Sequence, residues 1–79
     1  MTAKKYVDGL SYDEFKNIRV VSDNPNFMQF LVGPSDDVVA SATLAQQYES
    51  VGVPNELTKS AEALHYLVVA VNNRMCGNA

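Results

Sequence analysis

A series of apolar residues in the C-terminal part of the chain has the spacing of one face of an α-helix. Successive members are 4, 3, 4, 3 and 4 residues apart. This alternation places side chains in one continuous stripe along a helix. We call the series the seam, and its members are Leu57, Ala61, Leu64, Val68, Val71 and Met75. The seam predicts a long helix over about 56–75 with one face buried.

Three further apolar residues, Ala63, Leu67 and Ala70, widen this face. Together with the seam they cover roughly half of the helix circumference, which is more than one small neighbouring element would bury. We therefore expect the helix to be either the centre of its own domain or one half of an interface between chains.

The composition predicts a single small globular domain spanning residues 1–79, with flexible ends at about 1–5 and 76–79. Of the 79 residues, 47% are hydrophobic and 19% are charged, unlike the composition of disordered chains. The single cysteine, Cys76, has no intramolecular disulfide partner. We find neither a signal peptide nor an apolar run of about 20 residues. We therefore expect a cytoplasmic protein that makes no membrane contact.

In the first half of the chain, local signals predict a short helical turn followed by a β-hairpin. The sequence Ser11-Tyr12-Asp13-Glu14 has the form of a capping box and predicts a helical turn over about 12–17. Two β-prone runs follow within 18–32, separated by turn-forming residues at 22–26. This pattern is typical of a hairpin with a five-residue loop.

In the second half, the signals predict two longer helices. Gly33 and Pro34 end the second β-prone run, Ser35 is a candidate cap, and a helix follows over about 36–50. Gly52 marks its end, and Asn55 is a candidate cap for the final helix over about 56–75. Antiparallel packing of these two helices on the hairpin gives an α+β fold.

The sequence contains no recognisable catalytic, metal or nucleotide motif. The only histidine, His65, has no nucleophile with a local signature beside it, and one His with one distant Cys is too few ligands for a metal. The two pairs of adjacent acidic residues, at 13–14 and 36–37, lie at predicted helix N-termini, where negative charge is favoured. We therefore predict no catalytic residue, no metal and no cofactor. Four side chains remain as candidate ligand or partner contacts: Tyr48, His65, Tyr66 and Arg74.

From Phe27 to Met75 the predicted order is a strand, a helix opened by Pro34, a turn containing Gly52 and a second helix. This order resembles the ribbon-helix-helix DNA-binding proteins. In that family the strands of two chains pair into a ribbon that enters the major groove, so the resemblance implies a dimeric repressor. The apolar character of the predicted strand and the net charge of −3 disfavour contact with DNA.

These observations favour a small non-enzymatic interaction protein that regulates or inhibits a protein partner by binding it. The width of the apolar face also predicts a homo-oligomer. Two alternatives stay open. One is the ribbon-helix-helix-like dimeric repressor, and the other is an oligomer that sequesters a small anionic or nucleotide ligand between subunits.

Overall fold

The computed structural model describes residues 2–77, and over these residues it contains five α-helices and no β-strand. The helices are α1 (Ala3–Asp8), α2 (Tyr12–Arg19), α3 (Phe27–Val32), α4 (Val38–Ser50) and α5 (Ala61–Met75). Two short 3₁₀ turns lie at Val20–Asp23 and Asn55–Leu57. The predicted α+β class is therefore wrong, since the described chain is all-helical.

The predicted β-hairpin at 18–32 is replaced by the end of α2, a 3₁₀ turn and α3. The buried residues of this segment are three apart, Ile18 with Val21 and Phe27 with Phe30. This spacing puts both members of each pair on one side of a helical turn, whereas a half-buried strand buries every second residue. Short apolar runs fit either period, which is why the β-prone composition was misleading.

The turn formers at 22–26 begin α3 instead of closing a hairpin. The side-chain carbonyl of Asn24 accepts a hydrogen bond from the Asn26 amide at 2.8 Å, and its backbone carbonyl accepts from the Phe27 amide at 2.9 Å. The Asn26 side chain donates to Thr43 on α4 at 3.0 Å. The loop is thus a turn of the kind that Asn favours, joined to the next long helix.

The capping box predicted at Ser11 and Glu14 is confirmed and begins α2. The Ser11 hydroxyl accepts from the Glu14 amide at 3.1 Å, and the Ser11 amide donates to the Glu14 carboxylate at 2.9 Å. The resulting α2 runs two residues beyond the predicted turn, to Arg19.

Both long helices are present, but each begins later than predicted. Asp37, and not Ser35, caps α4, because its carboxylate accepts from the Ala40 amide at 3.0 Å. Ser60 caps α5 in the same way, through the Ala63 amide at 3.1 Å. Asn55 belongs to the separate 3₁₀ turn before it.

Gly52 ends α4 as predicted. Its φ of 98° lies in the left-handed region, which favours glycine. The Gly52 amide donates to the Glu49 carbonyl at 3.1 Å, and the Val53 amide donates to the Tyr48 carbonyl at 3.0 Å. This pair of hydrogen bonds is a Schellman motif, which satisfies the last carbonyls of the helix.

Helix α5 lies at the centre of the fold and contacts α1, α3, α4 and the second 3₁₀ turn. The side chains with no exposure are contributed by α1, α3, α4, α5 and Val20–Asp23; they are Val7, Val21, Phe30, Leu44, Tyr48, Leu64, Leu67, Val68 and Val71. The buried face of α4 is Ala40, Leu44 and Tyr48. Val38 and Ala42 of the same helix are exposed.

The ends of the chain were predicted to be flexible. Residues 3–5 lie in α1, and Ala3 is buried. Cys76 is exposed at the C-terminal end of α5. Met1, Asn78 and Ala79 lie outside the described residues.

Candidate functional site

The four candidate contact residues occupy different environments and do not form one site. Tyr48 is completely buried on α4, and its hydroxyl has no hydrogen-bond partner among the described residues. Burial raises the pKa of this hydroxyl far above its ordinary value. Tyr48 is therefore a neutral core residue that an external ligand does not reach.

His65 completes the C-terminal end of α3. Its Nδ1 atom lies 2.6 Å from the carbonyl oxygen of Phe30, and because a carbonyl only accepts, Nδ1 carries the proton. In a continuing helix this carbonyl would accept from the amide of residue 34, which is Pro34 and has no N–H. His65 supplies the missing donor from α5.

Arg74 has a corresponding role at the C-terminal end of α1. Its Nη1 atom donates to the carbonyl oxygens of Val7 at 2.6 Å and Leu10 at 2.8 Å. The guanidinium also stacks on the Phe15 ring, 4.5 Å from the ring centroid. A cation at a helix C-terminus is favoured by the helix dipole. Arg74 thus joins α5 to α1 and α2.

Tyr66 is the one candidate that faces a cavity and is also exposed, with 62% of its surface accessible. The centroid of its ring lies 5.4 Å from the centroid of the His65 ring, but the two side chains contact different parts of the structure. His65 reaches the end of α3, whereas Tyr66 borders an open groove beside α1.

This groove has a volume of about 530 Å³ and is lined by the start of α1, the second 3₁₀ turn and one side of α5. We call it the α1–α5 groove. Its lining residues are Thr2, Ala3, Lys4, Glu56, Leu57, Ala63, Tyr66, Val69, Ala70 and Asn73. Most of the lining is apolar, and three of the ten residues are alanines.

On α5 the groove follows a second stripe of residues next to the buried face. Ala63, Tyr66, Ala70 and Asn73 are 3, 4 and 3 residues apart, so they lie on one side of the helix. The small side chains at 63 and 70 leave the helix backbone accessible to close approach. The stripe spans eleven residues of helix, and its first and last residues are about 15 Å apart along the axis.

The groove carries little net charge. Lys4 forms an ion pair with Asp8, with Nζ 2.7 Å from Oδ2, so its charge is already partnered within α1. Glu56 is the one acidic residue of the lining. A groove of this character suits an apolar, uncharged surface better than a phosphate or a carboxylate.

The predicted seam residues lie partly in the core and partly at this groove. Leu64, Val68 and Val71 are completely buried, Ala61 is half-buried, and Met75 is 41% exposed. Leu57 is buried but belongs to the 3₁₀ turn, where it also lines the groove. Leu67, outside the seam, is fully buried as well.

A second, smaller cleft of about 220 Å³ lies at Tyr6, Glu14, Asn17 and Val51. Hydrogen bonds from Ser11 hold the pKa of Glu14 below its usual range. Partial burial raises the pKa of Tyr6. The Glu14 carboxylate therefore serves as a helix cap at the edge of this cleft.

Residues 2–77 contain no group of three or more His, Cys, Asp or Glu side chains placed to hold a metal ion. None of the helices in the described part of the chain has the length and hydrophobicity that crossing a bilayer requires.

The ribbon-helix-helix resemblance requires a strand at the position of α3, and this segment is helical. Comparison of the chain with models of known families, with curated proteins and with solved structures gives no match.

Proposed function

We propose that this protein is a non-enzymatic interaction module that binds an apolar helical segment of a protein partner in the α1–α5 groove. Occupying the partner in this way would regulate or inhibit it. The observation that carries the proposal is the open, mostly apolar groove beside the central helix. A concave, mostly apolar surface with few polar groups is typical of a binding site.

The shape of the groove favours a helix as the occupant. Packed helices lie about 8–10 Å apart, and small side chains at the contact allow the closest approach. Ala63 and Ala70 on α5, which are both half-buried, provide such a contact. A stripe about 15 Å long accommodates two to three turns of a partner helix, or about ten residues. Tyr66, with an apolar ring and a polar tip, suits the edge of such an interface.

The internal use of the polar side chains supports binding over catalysis. His65 and Arg74 each satisfy backbone carbonyls at helix ends, and Tyr48 lies in the core. These are three of the four residues expected to hold a small anionic ligand, so the structure gives that alternative no support. The dimeric repressor alternative loses its basis with the missing strand.

The experiment compares two Ala→Arg variants. Ala70→Arg places a long charged side chain in the groove, whereas Ala42→Arg makes the same change at an exposed position on α4. Tagged wild type and both variants are expressed in the native host, and co-purifying proteins are quantified by mass spectrometry. Circular dichroism checks that each variant is folded.

We expect one partner that is retained by wild type and Ala42→Arg and is lost from Ala70→Arg. Light scattering shows whether the partner is a second copy of this 8.6 kDa chain, which would double the mass. Equal retention by Ala70→Arg and Ala42→Arg would contradict binding in the groove.

A further inference from the structure

The corner between α3 and α4 exposes four large aliphatic side chains within twelve residues. The exposed fractions are 61% for Met28, 88% for Val32, 78% for Val38 and 72% for Val39. None of these residues lines the α1–α5 groove. Met28 and Val32 are four residues apart on α3 and so share a face of that helix. Single exposed apolar residues are ordinary, but a concentration like this one marks an interaction surface.

Hydrogen bonds hold the two parts of this corner together. The Gln29 side-chain amide donates to the Ser35 hydroxyl at 2.7 Å, and the Asp37 amide donates to the same oxygen at 3.1 Å. These bonds fold the loop back onto α3. At the other end of α3, Asn26 donates to Thr43 of α4 at 3.0 Å. The exposed ends of α3 and α4 are therefore kept at one corner of the molecule.

The chain segment that forms this corner carries formal charge of one sign only. From residue 20 to residue 58 the chain has no Lys, Arg or His, and it has five acidic residues. Two of these, Asp36 and Asp37, lie in the loop and are exposed. The hydrogen bond from the Ala40 amide lowers the pKa of Asp37, so this carboxylate stays ionised at neutral pH. The corner thus combines exposed aliphatic side chains with negative charge.

We propose that the α3–α4 corner is a second docking surface, which binds a basic amphipathic segment of a protein. Aliphatic side chains of the segment would cover Met28, Val32, Val38 and Val39, while its Lys or Arg side chains would face Asp36. The complementary charge steers the encounter, and the apolar contact supplies the affinity. Nucleic acids and anionic lipid surfaces carry the same sign as the corner, so its charge disfavours them.

The probe is a fluorescein-labelled peptide of about 14 residues, four helical turns, with Leu and Lys at helical spacing. A second peptide has Glu in place of each Lys. Fluorescence anisotropy measures binding of each peptide to the full-length protein at about 0.1 M and about 1 M salt. Two test variants change the corner, Val32→Asn for the apolar contact and Asp36→Lys for the charge.

Each test variant has a matched control outside the corner. Val20→Asn makes the same apolar-to-polar change at another exposed valine, and Glu62→Lys makes the same change of charge on α5. Asp36→Lys and Glu62→Lys raise the net charge by the same amount, so a nonspecific attraction would respond equally to both. All four positions are exposed, and thermal unfolding confirms that the variants fold.

We expect the Lys peptide to bind wild type, and the Glu peptide to bind much more weakly. Val32→Asn should weaken binding about tenfold, because a valine desolvated at the contact contributes about 1.4 kcal/mol. Asp36→Lys should weaken it at least about threefold at the lower salt concentration and less at the higher one. Both controls should bind as wild type does.

Three results would overturn the proposal. They are equal weakening by Glu62→Lys and Asp36→Lys, equal binding by Val32→Asn and wild type, and no binding of the Lys peptide. None of them bears on the α1–α5 groove, which Ala70→Arg tests separately.

Discussion

Replacing Tyr48 by phenylalanine should stabilise the protein. The Tyr48 side chain is completely buried, and its hydroxyl has no hydrogen-bond partner among residues 2–77. A buried polar group without a partner costs about 1–3 kcal/mol. Phenylalanine removes this cost and leaves a void the size of one oxygen atom, which costs a few tenths of a kcal/mol at about 24 cal/mol per Å³. We expect a net gain of about 1 kcal/mol or more.

The gain should increase at alkaline pH. Burial raises the pKa of Tyr48 above its ordinary value near 10, so the hydroxyl ionises first in the unfolded chain. Wild type therefore loses stability as the pH rises past 10. Tyr48→Phe has no hydroxyl to ionise at this position and does not undergo this loss. At pH 11 the difference between them should grow by about 1.4 kcal/mol, since one pH unit corresponds to 1.36 kcal/mol.

The assay is urea unfolding followed by circular dichroism at neutral pH and at pH 11. A gain of 1 kcal/mol also raises the Tm of a domain of this size by about 4–8 °C. Tyr66→Phe is the control, because this hydroxyl is exposed and its loss should change stability by less than about 0.5 kcal/mol. A less stable Tyr48→Phe would show that the Tyr48 hydroxyl has a hydrogen-bond partner in the folded protein.

Substitutions at three further residues test the helix ends. His65→Leu leaves the Phe30 carbonyl without its donor and should cost about 1–3 kcal/mol in urea unfolding. His65→Asn, which retains a donor near Nδ1, should lose less, and equal losses would argue against this hydrogen bond. Arg74→Met removes two charge-assisted hydrogen bonds and should cost about 2 kcal/mol or more. Arg74→Lys should fall between Arg74→Met and wild type, and a wild-type value for Arg74→Met would contradict its role. Because the pKa of Glu14 is lowered in the folded state, its ionised carboxylate contributes to the stability of the fold above pH 4–5. This contribution is lost as the pH falls through the folded-state pKa. Glu14→Gln should therefore show a flatter decline of stability between about pH 5 and pH 3, and an unchanged slope would refute this.

Local signals in the sequence predicted the parts of the fold that depend on local interactions. The capping box at Ser11 forms within four residues. The turn at Gly52 that ends α4 is likewise local, because its backbone hydrogen bonds reach only as far as Tyr48 and Glu49. The segment 18–32 was different. Its β-branched and aromatic residues fit a strand or a helix, and packing against α5 decided between them, with His65 completing the end of α3. That long-range contact has no local signal.

The α1–α5 groove was harder to predict for a related reason. One of its walls is α1, a helix of six residues whose first three lie in the N-terminal end, about 1–5, that we expected to be flexible. A local signal for α1 does exist, since the Thr2 hydroxyl caps the Lys5 amide, and Ala3 and Val7 are four residues apart. The anchoring of α1 by Arg74 joins residues more than sixty positions apart, which spacing along the sequence does not reveal.

The most direct test of the central claim is site-specific photo-crosslinking in the native host. p-Benzoylphenylalanine replaces Tyr66 at the edge of the groove or, as the matched control, Tyr12 on α2, which is 67% exposed. Gel electrophoresis and mass spectrometry identify the products. We predict a discrete crosslink to one polypeptide from position 66 and none to that polypeptide from position 12. No crosslink from position 66, or the same products from both positions, would contradict protein binding in the α1–α5 groove.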